Sequence, residues 1–370
     1  MSAHPSSSLP PSTFHLPPPP SPKRILVIGL SNIGDAVLMS PVIERLHAGC
    51  PQAHLTLLVG ERARALFAND PRVQRLVCME EFEGVVGRLR LVRWVWQTAP
   101  DLLVDLRQTA LPLVWRPWKA WRYLWPVPSH VAHMRTRHLW RLRRQMPHLH
   151  PALSRKGGVH VADGEGGQPI WLPQEAVAAV DQLLRRWGVD EHQRLIVIAP
   201  GARSHIKRWY PDRFAAVADR LIEDAHVEVV LTGEPDEAPV IQEVLRAMRH
   251  RAHNGIGQTT IQQLAALMRR ARLVMTNDSA ALHLACAVNT PVLALFGPTA
   301  ARKYGPTGAR DQVIQRRLFC APCEQATCRF NHECMRFIPV EEVYDAAKAM
   351  LTVQSSKQEV RSEKIRSERG

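Results

Sequence analysis

The sequence at residues 25–40 is Ile-Leu-Val-Ile-Gly-Leu-Ser-Asn-Ile-Gly-Asp-Ala-Val-Leu-Met-Ser. It opens with a continuous apolar run over residues 25–28, rich in β-branched side chains, which predicts a central parallel strand buried on both faces. Gly29 and Gly34 bracket the turn that follows, and a helix with an apolar face begins after it. Asp35 is therefore predicted at the start of this helix, just beyond the carboxyl end of the strand, where open α/β sheets bind ligands.

This loop lacks two common phosphate-binding motifs. The spacing of Gly29 and Gly34 imitates the opening of a P-loop, but Asp35 and Ala36 stand where that motif needs Lys and then Ser or Thr. Because residue 31 is Ser, the Gly-x-Gly-x-x-Gly fingerprint of dinucleotide-binding proteins is missing too. A carboxylate here would repel phosphate, but it can accept a proton or orient a hydroxyl group. The alternative is that Asp35 only stabilises the first helical turn through the helix dipole.

Length and charge limit the class of protein. A chain of 370 residues can form two domains, each with its own core. Its formal net charge of +14 predicts an acidic partner, such as a phosphorylated glycolipid, an anionic membrane surface or nucleic acid. No apolar run approaches the ~20 residues of a membrane-spanning helix, and the N-terminus lacks a signal-peptide pattern. The sequence thus predicts a cytoplasmic protein, at most peripheral to a membrane.

Composition also predicts the domain organisation. Residues 1–22 contain eight Pro and six Ser, which is typical of a disordered tail, and residues 352–370 form a polar tail. Between them, strands alternate with helices in both halves, which predicts βαβ units and parallel sheets. A Gly-rich linker at residues 157–168 separates an N-terminal domain over residues 23–175 from a C-terminal domain over residues 176–351.

A basic and aromatic segment follows the first α/β units. Residues 107–156 contain eleven Lys or Arg and no acidic residue. They also contain five tryptophans, at positions 115, 118, 121, 125 and 140. Such a mixture suits phosphate groups beside sugars, or an interfacial segment at lipid headgroups. The alternative is a solvated face whose Trp side chains pack inward.

Four predicted strands in the second half each end in a polar or Gly-containing loop. These strands span residues 195–199, 227–231, 272–275 and 292–296. All four loops are expected at one edge of one parallel sheet, by the right-handed crossover rule.

The residues in these loops suit a bound nucleotide. Asp278 or Ser279 can cap the following helix, whose free amides form an anion site. Lys207 adds a cation, which gives a pocket for phosphate or diphosphate. Glu234 can accept hydrogen bonds from a ribose, and His283 can donate one to a phosphate oxygen. Each residue also has a structural alternative, as a plain cap, a solvated lysine or a core histidine.

Several stretches, in this order, resemble the ADP-heptose:lipopolysaccharide heptosyltransferases of glycosyltransferase family 9. They are Ser-Asn-Ile-Gly-Asp at 31–35, Pro-Gly-Ala at 200–202, Lys-Arg-Trp at 207–209, Thr-Asn-Asp-Ser at 276–279 with His283, and Phe-Gly-Pro-Thr at 296–299. The resemblance covers nearly all of residues 23–351. It implies an α/β protein of GT-B fold, with two Rossmann-like parallel-sheet domains facing a central cleft. The donor nucleotide sugar would bind the C-terminal domain, and the acceptor would face the N-terminal one.

The resemblance also implies roles for single residues. Asp35 would be the general base of an inverting transfer, and Lys207 would stabilise charge on the departing ADP. The donor would further be held by Gly201, Glu234, Asp278, Ser279, Ala280 and His283. The acceptor would be held by Ser31, Asn32, Arg116 and Arg122. Ala280 departs from the family pattern, because relatives generally carry Gly there.

The resemblance implies ADP-heptose as donor and, as acceptor, a phosphorylated lipid A-core glycolipid at the inner leaflet of the cytoplasmic membrane. No Asp-x-Asp sequence occurs, so we expect no metal-held diphosphate and no required cofactor. Two alternatives stay open: a transferase of the same fold with another nucleotide sugar or acceptor, and a non-catalytic basic protein that binds membrane or nucleic acid. No known nucleic-acid-binding motif is present, which argues against a nucleic-acid partner.

Four cysteines cluster near the C-terminus, with His332 among them. They are Cys320, Cys323, Cys328 and Cys334. Clustered thiols in a reducing compartment are compatible with a structural zinc site. Their spacing is irregular, so free thiols or a disulfide-prone loop are the alternatives. A similar loop occurs in the heptosyltransferase II branch of the family, which favours a related acceptor.

Overall fold

The computed structural model describes residues 21–119, 123, 125–146 and 170–352. The predicted linker lies outside these ranges, as do the predicted tails apart from their innermost residues. The described part of the chain forms two parallel sheets, one in each half, with helices packed around them.

The first sheet has four parallel strands in the order β3-β2-β1-β4. The strands are β1 (Arg24–Ile28), β2 (His54–Val59), β3 (Arg75–Cys78) and β4 (Leu102–Asp105). The helices of this half are α1 (Ile33–Gly49), α2 (Glu61–Phe67), α3 (Gly84–Thr98), α4 (Leu111–Trp115) and α5 (Met134–Gln145). Four residues of β1 are buried, as its continuous apolar run predicts for a central strand.

The second sheet has six parallel strands in the order β10-β9-β8-β5-β6-β7. The strands are β5 (Arg194–Ala199), β6 (Val227–Leu231), β7 (His253–Asn254), β8 (Leu273–Asn277), β9 (Val292–Phe296) and β10 (Gln312–Gln315). The first helices are α6 (Gln174–Trp187), α7 (Pro211–Ala225), α8 (Ala238–Ala247) and α9 (Ile261–Arg270). The later ones are α10 (Ala280–Ala287), α11 (Ala301–Tyr304), α12 (Glu333–Arg336) and α13 (340–352).

Both sheets follow the Rossmann pattern of strand order. In each one the order reverses beside the first strand of the half, between β1 and β4 and between β5 and β8. The loops after such a pair of strands run to opposite faces of the sheet and leave a crevice that binds ligands. Asp35 follows β1 and Asp278 follows β8, so the fold places both at these switch points.

The two halves pack directly on one another through α1 and α10. A Cβ atom at Gly34 would lie 2.8 Å from Cδ2 of His283, so any larger residue at this position would force the ring or its helix to shift. The amide of Gln262 in α9 also donates to the backbone oxygen of Ala68, at 2.7 Å. These contacts bring the first turn of α1 against α10.

Candidate active site between the two sheets

Asp35 lies in the first turn of α1 and is half-buried. The side-chain amide of Asn32 donates to Oδ2 of Asp35 at 3.1 Å. The side-chain oxygen of Asn32 accepts from the guanidinium of Arg203 at 2.9 Å. Because Arg203 belongs to the loop after β5, these hydrogen bonds link the second half to the carboxylate. Sequence reasoning missed Arg203, whose partner lies 171 positions away.

The loops after β1 and β4 are joined by Ser31. Its hydroxyl accepts from the guanidinium of Arg107 at 3.0 Å. Asp105, at the end of β4, holds this second loop, because its carboxylate accepts from the backbone amides of residues 107–109 and from the hydroxyl of Thr109. Burial raises the pKa of Asp105, and those hydrogen bonds oppose the rise. Asp105 therefore shapes the loop.

Arg116, a predicted acceptor-binding residue, lies away from Ser31, Asn32 and Asp35. Its guanidinium stacks 4.3 Å from the ring centre of Trp115 and approaches the backbone oxygen of Asp101. Asp101 precedes β4, so Arg116 reaches the amino-terminal edge of the sheet, opposite the edge that carries Asp35. The structure thus does not bring Arg116 to the other predicted acceptor residues, and Arg122 lies outside the described residues.

Lys207, Asp278 and Thr299 form one cluster from three loops of the second sheet. The ammonium of Lys207 lies 2.7 Å from Oδ2 of Asp278, which also accepts from the hydroxyl of Thr299 at 2.6 Å. The side chain of Asp278 is only 6% exposed, so the cation of Lys207 balances a nearly buried charge. The prediction that these loops meet at one sheet edge is confirmed.

The prediction that the side chain of Asp278 or Ser279 caps α10 is wrong, because neither side chain hydrogen-bonds to the first turn. Ser279 occupies the N-cap position, but its hydroxyl pairs with that of Thr276 at 3.1 Å, and the Asp278 carboxylate is taken by Lys207 and Thr299. Among the residues that the structure describes, no side chain caps the first turn of α10. The amides of this turn are left to bind an anion.

His283 joins the two halves of the site. It is buried on α10 against Gly34. Burial lowers its pKa to about 4, and the carboxylates of Asp278 and Asp35 oppose that shift, while His133 and Lys207 add to it. At neutral pH the ring is therefore uncharged and can donate one N–H to a phosphate oxygen.

A second acidic residue lies beside the predicted ribose ligand Glu234. The carboxylate of Glu237 accepts from the backbone amide of Glu234 at 2.9 Å, and burial raises the pKa of Glu237. A Cβ atom at Gly201 would overlap this carboxylate, so any larger residue there would displace it. Glu234 itself lies 3.9 Å from the guanidinium of Arg62 in the other half. Sequence reasoning missed Glu237. Its position three residues after Glu234, which suits a helix-capping pair, is the signal that could have indicated it.

Asn277 and Trp209 hold the loops of this site in place. Asn277 is fully buried, donates to the backbone oxygen of Pro200 at 2.7 Å and accepts from the amide of Trp209 at 3.0 Å. The indole of Trp209 donates to the backbone oxygen of Ile338 at 3.2 Å. These two residues of the family-like motifs therefore have a structural role.

The structure does not arrange the clustered cysteines as the ligands of a metal ion. Within the described ranges, no three His, Cys, Asp or Glu side chains are placed to hold one. Instead the four residues are free thiols around a cavity of about 390 Å³, which His332 also lines; they are Cys320, Cys323, Cys328 and Cys334.

Two of these thiols have other surroundings in this structure. The thiol of Cys328 donates to the backbone oxygen of Phe330 at 2.7 Å. Cys334 is buried in the core of the second half, and burial, with the neighbouring cysteines, raises the pKa of its thiol. The geometry thus departs from the expected ligand set of Cys320, Cys323, Cys328 and Cys334, and binding of zinc itself stays a prediction.

Two parallel sheets with Rossmann-type strand order, whose site loops meet between the halves, define the GT-B class of fold. Residues 171–333 match the model of glycosyltransferase family 9 (heptosyltransferase), so the chain carries a domain of this family and is a glycosyltransferase.

Full-length relatives agree with this assignment. The chain is 26% identical to lipopolysaccharide heptosyltransferase 3 of Escherichia coli K12 over 86% of this chain and 95% of that protein. It is 26% identical to lipopolysaccharide heptosyltransferase 2 of Salmonella typhimurium, over 79% and 88% of the two chains. The fold is similar to that of E. coli ADP-heptose heptosyltransferase II, with a TM-score of 0.69 at 22% identity over 90% and 99% of the two chains.

Proposed function

We propose that this chain transfers heptose from ADP-heptose to the inner core of lipopolysaccharide, on a phosphorylated lipid A-core acceptor. The names of its relatives support heptose transfer to lipopolysaccharide, and the E. coli structure with a similar fold is that of an ADP-heptose heptosyltransferase. The observation that carries the proposal is the contact of Gly34 with His283, which sets the turn of Asp35 against the helix that begins beside Asp278. A base and an anion site thus face each other across two domains.

The acceptor hydroxyl would be activated by Asp35. As the hydroxyl oxygen attacks the anomeric carbon of the heptose, its proton passes to the carboxylate of Asp35. The new glycosidic bond forms on the face opposite the leaving group, which inverts the anomeric configuration. Asn32, held by Arg203, fixes the carboxylate by donating to Oδ2.

The bond from the anomeric carbon to ADP breaks in the same step, and the diphosphate leaves as an anion. Lys207, the amides at Ser279 and Ala280, and the neutral ring of His283 supply positive charge and hydrogen-bond donors to it. Glu234 would hold the ribose. In this proposal no metal ion is required for transfer.

We also propose that the protein works as a peripheral protein at the inner face of the cytoplasmic membrane. Within the described residues, none of the helices is long and apolar enough to span a bilayer. Helix α3 instead exposes Val85, Leu89 and Trp96 by 77%, 68% and 61%, on one side of the helix. Arg88 and Arg93 flank this stripe, and α3 contains no acidic residue. Such a helix suits insertion among anionic lipid headgroups.

The test is transfer from ADP-heptose to heptose-deficient and to monoheptosylated lipid A-core. Wild type should transfer to one of them, Asp35→Asn should lose at least ~100-fold in kcat while still binding ADP, and Asp181→Asn, an exposed carboxylate on α6, should match wild type. If transfer occurs only from another nucleotide sugar, ADP-heptose is not the donor. If Asp35→Asn keeps the wild-type kcat, Asp35 is not the general base.

A further inference from the structure

A second cavity lies in the first half, at the carboxyl end of β4. It measures about 180 Å³, and its walls include the indoles of Trp125 and Trp140, the guanidinium of Arg144 and the amide of Gln145. The two indoles and the guanidinium come from the basic, aromatic segment noted in the sequence. None of these side chains takes part in the transfer chemistry proposed above.

The guanidinium of Arg144 contacts both indole rings. Its guanidinium carbon lies 5.3 Å from the ring centre of Trp125 and 5.4 Å from that of Trp140. This arrangement orders a planar cation, which can bind a phosphate or carboxylate through two parallel hydrogen bonds. Trp125 is 58% exposed, so an indole face stays open to the apolar C–H face of a sugar ring.

Gln145 provides an unused hydrogen-bond acceptor in the same cavity. Its side chain is only 7% exposed, and Oε1 has no hydrogen-bond partner in the described part of the chain. Its nitrogen approaches the backbone oxygen of Asp105 at 3.5 Å. A buried acceptor without a partner is costly, so this oxygen gains a hydrogen bond if the side chain turns toward a hydroxyl group in the cavity.

The cavity borders the loop after β4, which is hydrogen-bonded to the loop that leads to Asp35. Arg141, in its wall, donates to the backbone oxygen of Leu106 at 3.2 Å. The next residue, Arg107, donates to the hydroxyl of Ser31 at 3.0 Å. Residues 106 and 107 therefore lie between a ligand in the cavity and the β1 loop.

We propose that this cavity is an acceptor subsite for a sugar that carries an anionic group, next to the sugar whose hydroxyl reacts. The proposal rests on the proposed function, since it places a part of that acceptor. Arg144 binds the anionic group, the indoles pack on the sugar ring, and Gln145 accepts from a sugar hydroxyl. The subsite holds the acceptor in register with Asp35.

The experiment compares Arg144→Gln and Trp125→Ala with two matched controls. Arg143→Gln changes the neighbouring exposed arginine of α5, and Trp118→Ala removes a tryptophan that is 70% exposed and is not part of the cavity wall. Binding of the deacylated acceptor oligosaccharide is measured by calorimetry, and transfer is measured with the intact acceptor. Two further probes are the dephosphorylated and the carboxyl-reduced oligosaccharide.

We expect Arg144→Gln to weaken oligosaccharide binding and raise the acceptor KM by about tenfold or more, with kcat and the ADP-heptose KM unchanged. One of the two further probes should bind wild type and Arg144→Gln equally, which identifies the anionic group. The proposal is overturned if both cavity variants bind as wild type does, if the controls lose as much, or if neither probe removes the difference. Absence of heptose transfer by wild type would refute the proposed function alone, because calorimetry still decides whether the cavity binds the sugar.

Discussion

Replacing Gly34 by Ala sets two effects of known sign against each other. In the middle of a helix alanine is favoured over glycine by roughly 0.5–1 kcal/mol, because glycine loses more backbone entropy on folding, and this range is an upper bound at Gly34, in the first turn of α1. The new methyl group would lie 2.8 Å from Cδ2 of His283, so α1 or α10 must move by several tenths of an ångström. Overpacking of this kind costs about 1–3 kcal/mol. The clash should win, with a net loss of stability of about 1 kcal/mol.

We also expect kcat/KM to fall, because a shift of α1 or α10 would move Asp35, the residue after Gly34, relative to His283, the proposed donor ligand. The free energy of unfolding is measured by urea titration, and kcat/KM is measured with saturating ADP-heptose. In the double variant Gly34→Ala/His283→Ala the methyl group has room, so stability should return towards that of His283→Ala alone. A single Gly34→Ala variant that gains stability and keeps full activity would refute the packing of α1 on α10 described above.

Three further outcomes are expected. Lys207→Met removes the cation beside the nearly buried Asp278, which keeps only the hydrogen bond from Thr299, and should cost about 1–3 kcal/mol in urea unfolding. The double variant Lys207→Met/Asp278→Asn should recover stability but not transfer. The pKa of His283 is about 4 in the folded protein and ~6.5 in the unfolded chain, so between these pH values the unfolded chain binds more protons. The free energy of unfolding should therefore fall by up to about 3 kcal/mol as the pH drops through this window. In His283→Gln the fall should be smaller. Leu89→Asp should weaken binding to anionic vesicles about tenfold. Phe319→Asp, which changes an exposed apolar residue of the other half, should not. Equal binding by both variants would refute the role of α3.

The sequence predicts the central strands well, because they are continuous apolar runs. The strands predicted at 227–231 and 292–296 have the observed bounds. The shorter strands β3, β7 and β10 were not predicted, because two to four residues carry too little pattern. Helix α3 was also missed, since its exposed apolar stripe hides the usual periodicity of a helix with one buried face.

Local sequence predicts which residues lie near the site better than it predicts what they contact. Asp278 has the position of a helix cap, but its partner Lys207 lies 71 positions away and offers an ion pair. Arg203 reaches Asn32 across the two halves, and no local pattern indicates such a contact. Arg116 lies at the edge of the sheet opposite Asp35, and no local pattern in the basic segment indicates this position.

The fit of Gly34 against His283 also limits how this enzyme can be re-engineered. Two-domain transferases invite chimeras, in which the donor half of one enzyme is joined to the acceptor half of another. Here each half supplies one side of a contact that an additional carbon atom would force to shift. A chimera that keeps Gly34 together with a compatible residue at position 283 avoids this cost, so the two halves are best exchanged with this pair matched.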